Sequence, residues 1–600
     1  MLIAHHARIK CASLALLLAT VPVGPCLAAG KIDASSRLNA LLDADFNAFV
    51  REYPNMATLY GVEGRNDQLL ELTTEALQRR DAHDREMLRQ ARKIPTAQFT
   101  GQDRVSYELF VLTKRKAVEG QQFNVRRTIE YMDQFSGPHL WMPINRLFTP
   151  FISELDYRNY IARLRSVSRV VDESIALSRT GLKAGWAHPK AALERIPRQI
   201  DEQLNTSVDD DPLAAPLKSF PVDVPLDVQR DISRELRAAL ADSYRPALTR
   251  LRGFVVEELL PRAPTSGGLA ALPGGKRYYD FLIRSELSPE LNADGIHALG
   301  LSEVRRIREE LHVLAARAGF GQDVDAYMRS KVEDPKQYFS SADELLAAYK
   351  ALAIDVEPKV QRLFHTMPRT RLEVQAMPAA EADADVSARY QPPSADGKRP
   401  GLFVLNTIAY ARRGRYEMVS LYLHEALPGH HMQIARALEI KGLHRWRQLV
   451  SDSLPYSEGW ALYAEKLGVE LDLYVTDDTR FGRLRDELWR AARLVVDTGI
   501  HARGWTREQA IAYMVEQVGL SQGDAAGEVD RYFVWPAQAL GYKIGELKIL
   551  ALRQRAQRAL GSRFDIRDFH ATVIDQGAVP LQVLEKLVNA WIAQSTRRSK

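Results

Sequence analysis

His424 and Glu425 stand side by side in the run 423–433, LHEALPGHHMQ. A histidine followed at once by glutamate on a helix can hydrolyse amides, because the imidazole holds a metal and the carboxylate takes a proton from water. The usual second histidine falls four residues on, but that position is Pro428, and histidines follow only at His430 and His431. In a straight helix the rise from His424 is about 9 Å to His430 and about 10.5 Å to His431, against about 6 Å for the usual spacing. Extruding Pro428 and Gly429 as a two-residue bulge returns His430 to the fourth position, since proline has no amide to give and glycine tolerates unusual dihedrals. His431 keeps a rival claim, because seven residues of unbroken helix return to nearly the same face. Displaced by the bulge, it would serve the substrate instead.

A catalytic zinc site needs three protein ligands and one open position. The third ligand should arrive on another helix, and YSEGWALYAE, residues 456–465, offers Glu458. Glu465 lies two turns further on nearly the same face and is the alternative; beside Lys466 it reads as a surface glutamate. Glu425, adjacent to a ligand, is the general base. A tetrahedral intermediate also needs a donor for its oxyanion, and Tyr542, Tyr532 and His501 have the chemistry. For any one of them a buried group satisfied by backbone is the commoner reading. Arg531 or Lys543 would hold a substrate carboxylate, although Arg531 beside Glu528 and Asp530 also reads as a helix ion pair. His297 reads as part of a helix start after Asp294.

The elements that must position these residues are mostly helices. Apolar residues recur at helical spacing over 38–53, 157–182, 226–260, 301–318, 342–364, 487–500 and 546–560. Clusters of Pro, Gly and Asp predict loops at 207–225, 261–275 and 379–400. The block 401–407, GLFVLNT, has the β-branched and aromatic content of a strand. It ends at Asn406 and Thr407, and an edge strand beside a metal helix is where a peptide adds itself by main-chain hydrogen bonds, with Asn406 as a further contact.

At the N-terminus, Arg8 and Lys10 precede an apolar run and then the small residues Ala28, Ala29 and Gly30, the pattern of a secretory leader over residues 1–29. The expected mature protein is exported, periplasmic or secreted, without stable insertion in the membrane. Both cysteines, Cys11 and Cys26, fall inside the leader. No disulfide is then expected, and a metal must be held by His, Asp and Glu. The formal charge of +5 in a chain with 81 basic and 76 acidic residues gives no reason to expect a nucleic-acid partner.

The runs HEALPGHHMQ, YSEGWALYAEKLG, ELWRAARLVVDTGIHARGW and EVDRYFVWPAQALGYKIGELKIL, with PRTRLEV and LSPELNADGIHALGLSEVRRIREEL upstream, closely resemble the bacterial family called domain of unknown function 885. The resemblance covers nearly the whole mature chain, 30–600, as one domain, with a helical part to about residue 400 and the zinc-site part after it. The family looks like a distant branch of the gluzincins, zinc peptidases whose third ligand is glutamate. That implies a mainly α fold around a deep cleft, a Zn2+ cofactor, a peptide substrate, and His424, Glu425, one of the following histidines and Glu458 as the catalytic set. Ala537 departs from the glycine expected after Trp535-Pro536. The expected activity is zinc-dependent hydrolysis of peptide bonds, with another amide or ester as the alternative substrate and an inactive binding protein as the alternative class.

Overall fold

The structure, a computed structural model, describes residues 33–377, 387–394, 399–450 and 453–597. The expected leader lies outside them, as does most of the loop predicted at 379–400. The chain is mainly α-helical, with one small three-stranded sheet. Among the described residues no helix is long and apolar enough to cross a membrane.

The long helices begin and end where local chemistry directs. Glu154–Lys183 opens on a capping box between Ser153 and Asp156. Asp477–Arg503 opens on another at Thr476 and closes on Gly504 at φ 72°, a left-handed cap that glycine adopts without penalty. The predicted helix over 226–260 runs from 226 to 262 but widens at Leu240–Tyr244 and Val255–Leu259. Each widened turn is followed closely by a proline, Pro246 or Pro261, whose missing N–H and bulky ring do not fit the ordinary ladder. Ala293–Arg317 is capped by Asn292, not Asp294. His297 lies buried on it, with Nδ1 2.8 Å from Thr498 Oγ1.

Among the described residues three large cores result, one of them, with Leu311, Leu488, Val496 and Met514, between the helices Ala293–Arg317, Asp477–Arg503 and Arg507–Val518. Another, with Tyr157, Leu164, Val171, Leu236 and Leu251, sits among the N-terminal helices. The largest draws on both ends of the sequence, from Leu38 and Phe46 to Trp460, Ile549 and Leu584, and includes Leu423, Ala426 and Trp460 around the candidate histidines. Here two helices, Leu454–Leu467 and Leu540–Leu560, meet backbone to backbone: a Cβ on Gly545 would fall 1.8 Å from Pro455 O and 2.7 Å from Gly459 Cα.

The sheet has the order β1 (Leu372–Ala376), β3 (Gly401–Leu405), β2 (Ala388–Gln391). β3 pairs parallel with β1 and antiparallel with β2. The strand read from GLFVLNT is therefore central, and the edge strand next to the metal-helix candidate is β2. Phe403 of β3 packs on Tyr349 and Tyr422, ring centroids 5.2 and 5.9 Å away, which seats the sheet against the helix Met418–Glu425.

Candidate metal centre

The run HEALPGHH is not one helix with a bulge. Met418–Glu425 stops at Glu425, four residues intervene, and His430–Glu439 starts afresh. Gly429 is required by space: a Cβ would lie 1.9 Å from His424 O and 2.3 Å from Leu423 O. The restarting chain is thus tucked onto the last carbonyls of the first helix. Trp460 holds the break from the other side, its Nε1 donating to Pro428 O at 2.9 Å.

The break brings His430, rather than His431, to His424. The two imidazoles stand edge to face, centroids 4.9 Å apart. Glu458 Oε2 lies 3.4 Å from His424 Nε2 and 3.5 Å from His430 Nε2. One ligand atom from each of the three residues lies within 4.8 Å of the others. Bonds of about 2.0–2.1 Å at tetrahedral angles separate neighbouring ligand atoms by about 3.3 Å, so these distances suit an ion at the centre. Glu458 Oε2 and His430 Nδ1 are cut off from solvent and make no hydrogen bond among the described residues. Burial opposes charge on the His424 imidazole, yet Glu458 and Glu465 overrule it and lift its pKa to about 10. Burial likewise works against the Glu458 carboxylate, but His430 and His424 hold it well below its ordinary range. The pocket favours a positive charge between these groups.

Glu465 is no surface glutamate. It is 2% exposed, and its Oε1 accepts from His424 Nδ1 at 2.8 Å. That bond fixes the proton on Nδ1 and turns Nε2 toward Glu458, the arrangement by which carboxylates orient metal-binding histidines. Arg490 stands behind it, Nη2 3.7 Å from the same oxygen. Glu425, the residue after His424, accepts from the backbone N–H of Tyr390 on β2 at 2.9 Å. An edge-strand amide thus holds the candidate base, a contact the sequence reading missed because ARYQ lay in a stretch taken as loop.

The remaining candidates divide. Tyr542 is half-buried and close enough to Glu458 that, after burial itself, this carboxylate is the main cause of its raised pKa. His431 braces the sheet, with Nε2 3.2 Å from Thr370 O and Nδ1 3.0 Å from Tyr390 Oη, and Gly401 is small because a Cβ there would meet His431 Nδ1 at 2.6 Å. His501 is fully buried with both nitrogens bonded to backbone, Nδ1 accepting from Leu269 N and Nε2 donating to Tyr532 O, so it stabilises packing and does not reach the cluster. Lys543 is also fully buried, its ammonium bound by Glu303, Glu487 and Glu546 at 3.1, 2.8 and 2.7 Å. With its donors taken by three carboxylates it is no substrate anchor. Asn406 is buried at the end of β3, its backbone N–H bonded to Ser387 O.

Arg531 pairs with Glu528 and Gln538, while Asp530 pairs with Arg507 instead. Tyr532 is buried, donating to Glu528 at 2.7 Å. Ala537 adopts φ 66°, the left-handed region where glycine is at ease, which explains why glycine was expected there. Its N–H is 3.2 Å from both oxygens of the buried Asp497, whose other partner is Tyr279.

Comparison with known proteins places this architecture. The family model described as "Bacterial protein of unknown function (DUF885)" matches residues 54–588, and the chain belongs to that family. No curated protein matches it. The chain is similar to two solved structures, each described as a "putative lipoprotein". One, from Colwellia psychrerythraea, is 29% identical with a TM-score of 0.88, over 94% of this chain and 100% of that one. The other, from Shewanella oneidensis, is 16% identical with a TM-score of 0.71 over 93% and 100%, a likeness of fold alone.

Proposed function

We propose that this member of the DUF885 family is an exported zinc-dependent hydrolase that cleaves peptide bonds. One observation carries the reading: two imidazole nitrogens and a carboxylate oxygen converge at tetrahedral spacing, the carboxylate oxygen lacks a hydrogen bond, and a second glutamate follows the first histidine. The donor set of two nitrogens and one oxygen fits zinc in an open catalytic site. Bound there, the ion would polarise a carbonyl and acidify a water. Export is supported by the leader pattern and by the lipoprotein description of the two similar structures.

The chain's own residues then have distinct tasks. His424, held by Glu465, and His430 present Nε2 atoms, and Glu458 presents Oε2. Glu425, steadied by the Tyr390 amide, takes the proton from water and returns it to the leaving amine. Tyr542 supplies a hydroxyl whose raised pKa keeps it protonated at neutral pH, as an oxyanion donor requires. Elemental analysis of protein prepared without chelators should find one zinc per chain. Glu425→Gln should keep that zinc and lose about 10²- to 10⁴-fold in turnover of a mixed peptide library. Absence of any transition metal, with no activity on adding zinc, would overturn the proposal, and a metal-loaded protein that cleaves esters but no peptides would redirect it.

A further inference from the structure

Arg490 and Arg493 lie one turn apart on the helix Asp477–Arg503, inside an otherwise apolar stretch. Arg490 faces two carboxylates, Glu465 and Asp486. Arg493 has a carboxylate partner only in common with another arginine, and its Nε donates to Tyr532 Oη at 3.1 Å. Its Nη2 and the Nη2 of Arg531 converge on one oxygen, Glu528 Oε2, at 3.1 and 2.8 Å, and Tyr532 donates to that oxygen too. Arg531 spends Nη1 on the neutral Gln538. Arg493 Nη1 has no hydrogen-bond acceptor among the described residues, although the residue is only 6% exposed. Two guanidiniums thus share one carboxylate, leaving one positive charge without a carboxylate of its own and one buried N–H, Arg493 Nη1, without an acceptor, which is costly.

The Arg493 guanidinium sits 4.5 Å from the centre of the Tyr542 ring, and Tyr542 stands between Gly541 and Gly545 on the helix that packs against Pro455 and Gly459, on the helix carrying Glu458. We propose that Arg493, with Arg531 beside it, receives the terminal carboxylate of a peptide whose scissile carbonyl lies at His424, His430 and Glu458, so that the protein acts on free C-terminal ends. This rests on the proposed hydrolase reading. A planar guanidinium matches a carboxylate in fork geometry, and one charge without a carboxylate of its own is balanced by a monovalent anion.

The test is calorimetric binding to the zinc-loaded Glu425→Gln protein of an N-acetylated tripeptide as free acid and as amide. The acid should bind about 10- to 100-fold more tightly, as expected for a charge-assisted hydrogen bond. Adding Arg493→Gln should bring the two affinities together while zinc content stays at one per chain. Equal binding of acid and amide to the Glu425→Gln protein overturns the inference, and it does so whether or not the double variant folds. Turnover by the unmutated protein separates the two proposals: cleavage of acid and amide at equal rates removes the carboxylate site and keeps the peptidase. No cleavage of either, with the binding preference intact, removes the peptidase and keeps the site.

Discussion

Glu465 decides how firmly His424 is aimed. Replacing it with alanine would leave the Nδ1–H buried without an acceptor and free the ring to turn, which should weaken zinc affinity about 10- to 100-fold. Glu465→Gln retains an oxygen acceptor and should fall between the parent and the alanine variant. Competition with a chromogenic chelator measures all three, and equal affinity across the set would show that the bond orients nothing. Glu458 was legible in the sequence because its distance from His430 leaves room for a turn and a second helix. Glu465 was misread because spacing gives the face of a helix but not whether that face is covered. Arg493 offered a signal that went unused: two arginines one turn apart in ELWRAARLVV, where the surrounding residues are apolar. Lys543 and His501 show the converse, polar residues in a concentrated region whose partners are other parts of the fold.

At the scale of elements, the candidate metal centre depends on how closely helices approach. Gly545 to alanine would drive a methyl into the Pro455 carbonyl, which is backbone and cannot swing aside. The helix carrying Glu458 and Glu465 would have to move, at a cost of about 3 kcal/mol or more, and zinc affinity should fall with the unfolding temperature. Gly527, on the helix Gln522–Val534, has open space beside it: among the described residues a Cβ there would meet nothing within 4 Å beyond its own turn of helix. The same substitution there should raise stability by about 0.5–1 kcal/mol through helix propensity. Paired thermal melts check both signs, and a harmless Gly545→Ala would contradict the backbone contact. The long helices were visible in sequence because their apolar period is long and regular. β1 and β2 were not, because LEVQA and ARYQ are too short to establish a period of their own and gain their strand character by pairing with β3. The break after Glu425 was read as a bulge because sequence shows that proline and glycine interrupt a helix, not that a carbonyl occupies the space beside the glycine.

For the whole molecule, acid is the condition the fold resists least. Burial holds His139, His188 and His501 down to about 4 and His570 to about 3. Unfolded histidine titrates near 6.5, so between about pH 6.5 and 4 the unfolded chain binds protons that the folded chain refuses. Stability rises with pH wherever that holds, and it is lost on acidification through this window. Burial raises Asp133 to about 6 and Asp497 to about 7, and raises Glu417, so these carboxyls pull the other way. The four histidine shifts outweigh the two aspartate shifts, and the net loss should be on the order of several kcal/mol. Urea midpoints measured from pH 7 to 4.5 should fall steadily; a flat profile would mean these imidazoles gain protons without unfolding. None of this was readable from composition, which counts histidines without telling which are enclosed. The mainly helical class was readable, while the division into three large cores was not, because it depends on distant segments meeting.

The chain's interruption between Glu425 and His430 also bears on assembly. Because the two histidines end one rod and begin the next, with Gly429 and Trp460 clamping the joint, an ion between them would act as a rivet across a seam. Each rod could then form from its own local contacts, and the seam would register whether the distant helix bearing Glu458 had docked. On the proposed zinc-peptidase reading, loading with metal would thereby report completed tertiary structure, so a partly folded chain would gather the ion late and have little capacity to cut its neighbours before it was whole.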